Sequence, residues 1–269
     1  MDLAGNRSTP ATMDDRHDKS LAATGAAGNP GAKLAASSSF PMQWSRRLGL
    51  IVILSAAMPL LGLGQPVATT WLDTFESRLE ILALTQTLNA EILAGSSATQ
   101  SLEKWCRDHK MAADPIIVAR LIPGGSKAPT SEQLQRLQVP TVDDVRHRHV
   151  ELRCGSHTLS EADAWYVPGR LTAEMNQLLE TSETPFGRAI QSLRPYRRTF
   201  AVTPLWSPLP AGWEQQRQVR SQPSERARPL VLPKDLFEHR AILYTSDHQP
   251  ISEVHERYQG QLLAFSRGQ

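Results

Sequence analysis

The segment Arg146-His-Arg-His-Val-Glu-Leu-Arg-Cys154 alternates side chains facing opposite ways, runs into Gly155-Ser156, and continues as a matching run over residues 157–167. A two-residue turn between such runs makes a β-hairpin, and a hairpin leaves its strands no choice but to pair antiparallel. A second hairpin reads the same way near the C-terminus, where Arg240–Thr245 and Pro250–Tyr258 bracket Asp247-His248-Gln249. The β-branched run Pro115–Ile122 and the segment Thr199–Trp206 add further strands. Neighbouring strands joined by short links cannot form the helical crossovers of a parallel sheet, so an antiparallel sheet is expected.

Helical spacing appears elsewhere. Leu72, Phe75, Leu79, Leu82, Leu88, Ile92 and Leu93 recur at three to four residues, with Thr70 as a cap and Gly95 suited to a left-handed stop. A second helix is expected at about 98–110, where Ser97 and Gln100 form a capping box and Leu102, Trp105 and Cys106 an apolar stripe. Leu171–Glu180 carries Met175, Leu178 and Leu179 on one face, and Phe186–Leu193 reads as a short helix restarted by Pro185. Residues 123–144 are polar, with prolines at 123, 129 and 140, and suit a surface loop or short helix; 207–229, rich in Pro, Gln, Arg and Ser, suit a mobile excursion. The expected class is α+β, an antiparallel β-sheet with helices packed on one face.

The chain divides by composition. Residues 1–41 are rich in Ala, Gly, Ser and Asp and nearly lack large apolar side chains, so disorder or an over-called extension before Met42 is expected. Arg46-Arg47 leads into the uncharged run Leu48–Gly64, which ends in small residues. Residues 42–64 therefore read as a signal peptide cleaved before Gln65, giving an exported, periplasmic protein. An uncleaved inner-membrane anchor is the first alternative. A buried core helix, which leaves the chain cytoplasmic, is the second. Residues 65–269 form the folded domain. Membrane contact is expected only through the N-terminal segment, if it stays uncleaved.

Basic and acidic residues nearly balance, 29 against 27, which gives no electrostatic case for a nucleic-acid partner. The two cysteines, Cys106 and Cys154, suggest a disulfide in an exported chain, with two buried free thiols as the alternative. No Cys/His grouping has metal-ligand spacing, and no metal is expected.

Three pieces carry a family resemblance. Thr184-Pro185-Phe186-Gly187-Arg188 resembles the Thr-Pro-(Leu/Phe)-Gly-Arg segment of the chorismate pyruvate-lyase superfamily, which includes the effector-binding domain of GntR-type regulators. A Pro beside a Gly at a helix start exposes backbone amides, which are good donors to a carboxylate. The strand bearing Arg148, Val150 and Leu152 is similar to the lyase strand whose Arg grips a substrate carboxylate, and alternation puts these three side chains on one face. Counting back from Cys154 instead puts His149 at the Arg position. The hairpin containing Ser252-Glu253-Val254 resembles the lyases' final hairpin, with Glu256 as the fallback.

The resemblance spans most of residues 115–265. It implies Arg148, Phe186 and Gly187 as substrate-binding groups, with Arg188 an additional candidate, and Glu253 as the catalytic carboxyl near the departing ether oxygen. The implied reaction converts chorismate to 4-hydroxybenzoate and pyruvate without metal or organic cofactor. The alternative is a non-catalytic module for a small aromatic carboxylate in the cell envelope. Glu161 and Asp163 depart from the Ala-Arg pair of the enzymes, which removes a basic residue and puts turnover in question.

Overall fold

The computed structural model describes residues 71–215 and 228–266. The expectations for residues 1–41 and 42–64, and for most of the excursion 207–229, lie outside the described residues. Among the described residues no helix is long and apolar enough to cross a membrane.

Six strands, β1 (Ile117–Leu121), β2 (Arg146–Cys154), β3 (His157–Tyr166), β4 (Tyr196–Pro204), β5 (Asp235–Tyr244) and β6 (Pro250–Gln259), form one antiparallel sheet in the order β1-β2-β3-β6-β5-β4. The hairpin β2–β3 turns at Gly155, whose φ of +55° is the left-handed value that a tight turn requires. The hairpin β5–β6 brings the last strand beside β3, so β6 lies in the middle of the sheet although it comes last in the chain. The class is the expected α+β.

Helices α1 (Phe75–Ala94), α2 (Ala98–Asp108), α4 (Ala173–Thr181) and the four-residue α5 (Phe186–Ala189) cover one face. Ile81, Leu88 and Ile92 of α1 and Leu102 and Trp105 of α2 pack on Val150, Leu152, Phe237 and Tyr258 of the sheet. Each such fully buried side chain contributes about 1.5–3 kcal/mol. A short helix within 123–144, α3 (Ser131–Leu137), sits over the opposite face, where Leu137 packs on Trp165. The capping box between Thr130 and Gln133 starts it.

Several boundaries move. Helix α1 begins at Phe75 with Thr74 as its cap, because Trp71 is committed elsewhere: its indole N–H donates to the Leu263 carbonyl at 3.0 Å. Gly95 is not left-handed, with φ −83°; a Cβ there would come within 3.0 Å of the Glu91 carbonyl oxygen and 3.2 Å of Ser101 Oγ, so the glycine serves the close approach of α1 to α2. Leu178, expected on the buried face of α4, is exposed, while Met175 and Leu179 are buried. Strand β4 starts three residues earlier than expected, at Tyr196, and that shift brings Arg197 into the sheet.

Candidate functional site

Between the sheet and the helices lies a small, mostly apolar cavity. Val150 and Leu152 of β2, Ala162 and Ala164 of β3, Val254 of β6 and Leu243 of β5 make an apolar floor. The small Ala162 and Ala164 leave the space that larger residues would fill. The roof is the start of α2, Ser97 to Thr99, together with Phe186 and Gly187 at the start of α5. Gly187 allows these two helix starts to meet. A Cβ at this position would stand 2.8 Å from Ser97 Oγ and 3.4 Å from Thr99 Oγ1. Backbone amides in the first turn of a helix have no partner within it, so the roof presents donors to an anion.

Three charged side chains line this cavity: Arg148, Arg197 and Glu256. Arg148 is 5% exposed. Its Nη2 donates to the Ser182 carbonyl at 3.0 Å, its Nε has no partner, and no carboxylate pairs with it among the described residues. Burial pulls its pKa below the ordinary arginine value, opposed by the nearby Tyr166. Arg197, from β4, donates through Nη2 to Glu256 Oε2 at 2.6 Å and through Nε to Thr199 Oγ1 at 3.2 Å. Burial alone would lower Arg197, but Glu256 and Tyr258 outweigh it and raise the guanidinium. The buried Tyr258 hydroxyl also donates to Glu256 Oε2, at 2.9 Å. Burial first, then Glu256, push that phenol well above its ordinary pKa. Both bonds fall on Oε2, leaving Oε1 of Glu256 without a protein donor among the described residues.

Of the residues singled out in the sequence, Arg148, Phe186, Gly187 and Glu256 share this cavity. Glu253 does not. Three positions from Glu256 on one strand, it points through the opposite face. There it is fully buried, held by Arg136 through Nε (2.7 Å) and Nη2 (2.9 Å) and by His255 Nε2 at 3.0 Å. Burial pushes the Glu253 carboxyl up, but His255 and Arg136 outweigh it and hold the pKa below the ordinary glutamate value. The fallback, Glu256, is therefore the carboxylate of the cavity. His149 also lies on the far face, its Nε2 3.0 Å from Glu161 Oε1, whereas Arg148 lines the cavity. Arg188 points away from the cavity and pairs with Glu103. Cys106 and Cys154 form a disulfide with Cα atoms 6.4 Å apart, tying α2 to the end of β2.

Glu161 and Asp163 likewise face away from the cavity. Lys234, Arg257 and His149 surround Glu161, and Lys127 and His147 surround Asp163. The second basic group of the cavity comes instead from β4, as Arg197. Sequence reasoning missed Arg197 and Tyr258. The signal for Tyr258 was available, since it stands two residues after Glu256 and so on the same face. Arg197 gave none, because the alternation of Tyr196-Arg-Arg-Thr lacks an apolar partner to set its phase.

No protein-family model matches the chain. Solved structures resemble it in part. PhnF from Mycobacterium smegmatis is 12% identical, with 72% of this chain and 88% of that one covered at a TM-score of 0.39. The effector domain of PhnF is 14% identical, covering 61% and 89% at a TM-score of 0.37. A GntR-family transcriptional regulator from Enterococcus faecalis V583 is 12% identical, covering 56% and 99% at a TM-score of 0.34. In sequence the likeness is much higher to the uncharacterized protein y4mC of Sinorhizobium fredii (strain NBRC 101917 / NGR234): 43% identity over 196 residues, 72% of this chain and 81% of the relative. The chain belongs to the same family as y4mC.

Proposed function

We propose that the domain binds a small aromatic monocarboxylate in the cavity between sheet and helices. The observation that carries this reading is Arg148, a buried guanidinium without a carboxylate partner at the wall of an apolar pocket. Burying a charge is costly unless an opposite charge meets it, and a bound carboxylate would do so. Two guanidiniums against one carboxylate leave the cavity lining one positive charge in excess, the complement of a monoanion. The first-turn amides of α2 and α5 would share the carboxylate, the apolar floor would take a ring, and Glu256 Oε1 would accept from a hydroxyl at its far end. 4-Hydroxybenzoate has these three features.

Chorismate lyase activity is the second reading, and the pairing of Arg197 with Glu256 bears on it. In that reaction the bond between the ring and the enolpyruvyl ether oxygen breaks, and that oxygen leaves with the pyruvate. The ring becomes aromatic by losing the proton from the adjacent carbinol carbon, whose hydroxyl becomes the phenol of 4-hydroxybenzoate. Arg148 and the amides would orient the ring carboxylate, and Arg197 would stabilise charge near the departing group. However, Glu256 already accepts from both Arg197 and Tyr258 through Oε2, so the carboxyl is engaged as an acceptor in the cavity. That favours binding over turnover.

Export through residues 42–64 belongs to the same proposal. The Cys106–Cys154 bond supports it, since disulfides persist in oxidising compartments.

Calorimetric titration of the full chain with 4-hydroxybenzoate, benzoate and 4-hydroxybenzyl alcohol tests the binding. The acid is expected to bind, the alcohol to fail, and Arg148→Ala to weaken the acid roughly tenfold or more. Equal binding of acid and alcohol would refute the carboxylate assignment. Chorismate incubated in parallel, with 4-hydroxybenzoate and pyruvate followed, decides between module and lyase.

A further inference from the structure

Arg148 does not face the inner cavity alone. It also lines a groove open to solvent where β2 runs past the end of β1, bounded by Ile122, the Gly124-Gly125-Ser126 loop, Arg146, His147, His149, Tyr166 and Glu180. Arg146 and Arg148 stand two residues apart on β2 and so project from one face. Tyr166 is the cross-strand partner of Arg146 and the diagonal neighbour of Arg148. Neither arginine has a carboxylate partner among the described residues, and Glu180 is the one carboxylate lining the groove. Arg148 is nineteen-twentieths buried with its Nε unpartnered, so it is a guanidinium with donors to spare. The far-face carboxylates Glu161 and Asp163 are saturated by their own cations and do not neutralise these arginines.

We infer that this groove is a second oxyanion site, formed by Arg146, Arg148 and the Tyr166 hydroxyl beside the Gly124-Gly125 loop, and coupled to the inner cavity through the shared Arg148. A small phosphate or carboxylate there receives donors from two guanidiniums and a phenol, with room for loop amides to add to them. An anion in the groove and a carboxylate in the cavity draw on one guanidinium, so each weakens the other. This coupling rests on the inner-cavity reading given above; the groove's own affinity for an anion does not.

Inorganic phosphate is the probe, titrated into the full chain by calorimetry and by phosphorus NMR line broadening. The site predicts phosphate binding that Arg146→Ala weakens about tenfold or more and Tyr166→Phe weakens severalfold. Acetate in place of phosphate is expected to bind with the same dependence on Arg146, which identifies the ligand as a general oxyanion; phosphate alone would identify it as a phosphate site. Arg146 is exposed on the strand end, so its truncation should leave the fold intact by circular dichroism, and Tyr166→Phe is the second check. Saturating phosphate should weaken 4-hydroxybenzoate binding severalfold in the wild type and not in Arg146→Ala. Phosphate binding that neither variant changes, or none at millimolar concentration, overturns the site. Loss of phosphate binding in Arg146→Ala without any 4-hydroxybenzoate binding in the wild type would retain the groove and refute the inner-cavity reading.

Discussion

His239 should make this domain acid-sensitive by a calculable amount. It lies on β5 with no solvent exposure, its Nε2 2.7 Å from Asn89 Oδ1 on α1 and its Nδ1 without a partner. Burial pulls its pKa from 6.5 to about 4, with Glu256 opposing the shift and Arg197 reinforcing it. A folded pKa below the unfolded one means that the unfolded chain binds more protons between the two values. The stabilisation is therefore fully present above about 6.5 and is lost as the pH falls towards 4. At about 1.4 kcal/mol per pH unit, the whole gap is worth roughly 3 kcal/mol, and roughly 2 kcal/mol is lost by pH 4.5. The assay is urea unfolding of wild type and His239→Gln at pH 7 and pH 4.5, read by tryptophan fluorescence from the buried Trp71 and Trp105. Glutamine keeps an N–H for Asn89 and does not titrate. The wild type should lose roughly 2 kcal/mol more than the variant between the two pH values. Equal losses would show that the imidazole is not held neutral in the fold, and the argument from burial would fail.

Other perturbations separate the two faces of the sheet. Glu253→Gln removes the buried charge partner of Arg136, which is partly exposed and also near Glu132, and should cost about 1–3 kcal/mol in unfolding free energy, while 4-hydroxybenzoate affinity stays within about twofold; loss of binding in a folded variant would return Glu253 to the site. Gly187→Ala forces a methyl to 2.8 Å from Ser97 Oγ, and a roof displaced at that point should weaken the ligand about tenfold, measured by calorimetry. Replacing both Cys106 and Cys154 by Ala opens a loop of sequence separation 48, and the chain-entropy estimate gives a loss of about 4 kcal/mol in urea unfolding. A loss below about 1 kcal/mol would mean that α2 is held to β2 by packing alone.

The hairpins and the face of Arg148 were legible because strand alternation is local: a period of two assigns a side to every residue once a single apolar pair sets the phase. The choice between Glu253 and Glu256 was not legible in that way. Both are buried, since α3 covers one face and α1, α2 and α5 the other, so hydrophobic pattern does not distinguish inside from outside on β6. The β5–β6 pairing also shifts register between Leu243 and Tyr244, close to Pro250, and that irregularity disturbs any count taken from the turn. Arg197 was hidden for a different reason. Its partner Glu256 lies 59 residues away, across β5, and the pair is recognisable only after the chain has placed its last strand in the centre of the sheet.

That late central strand explains why the two faces hold charge so differently. On the far face each carboxylate has its cations: Arg136 and His255 on Glu253, Lys127 and His147 on Asp163, and Lys234, Arg257 and His149 on Glu161. Networks satisfied in this way fix strand register and leave little to offer a ligand. On the cavity face β6 contributes a single carboxylate, and Arg197 reaches it across β5 from the edge strand β4. Arg148, two strands away on the other side, donates to the Ser182 carbonyl instead. Among the described residues lining the cavity there is thus one more buried cation than is paired with a carboxylate, on the face where small side chains and a glycine contact leave space. A buried charge with its partners is explained by stability alone, whereas Arg148 has no carboxylate partner among the described residues, and a bound anion is the partner proposed for it.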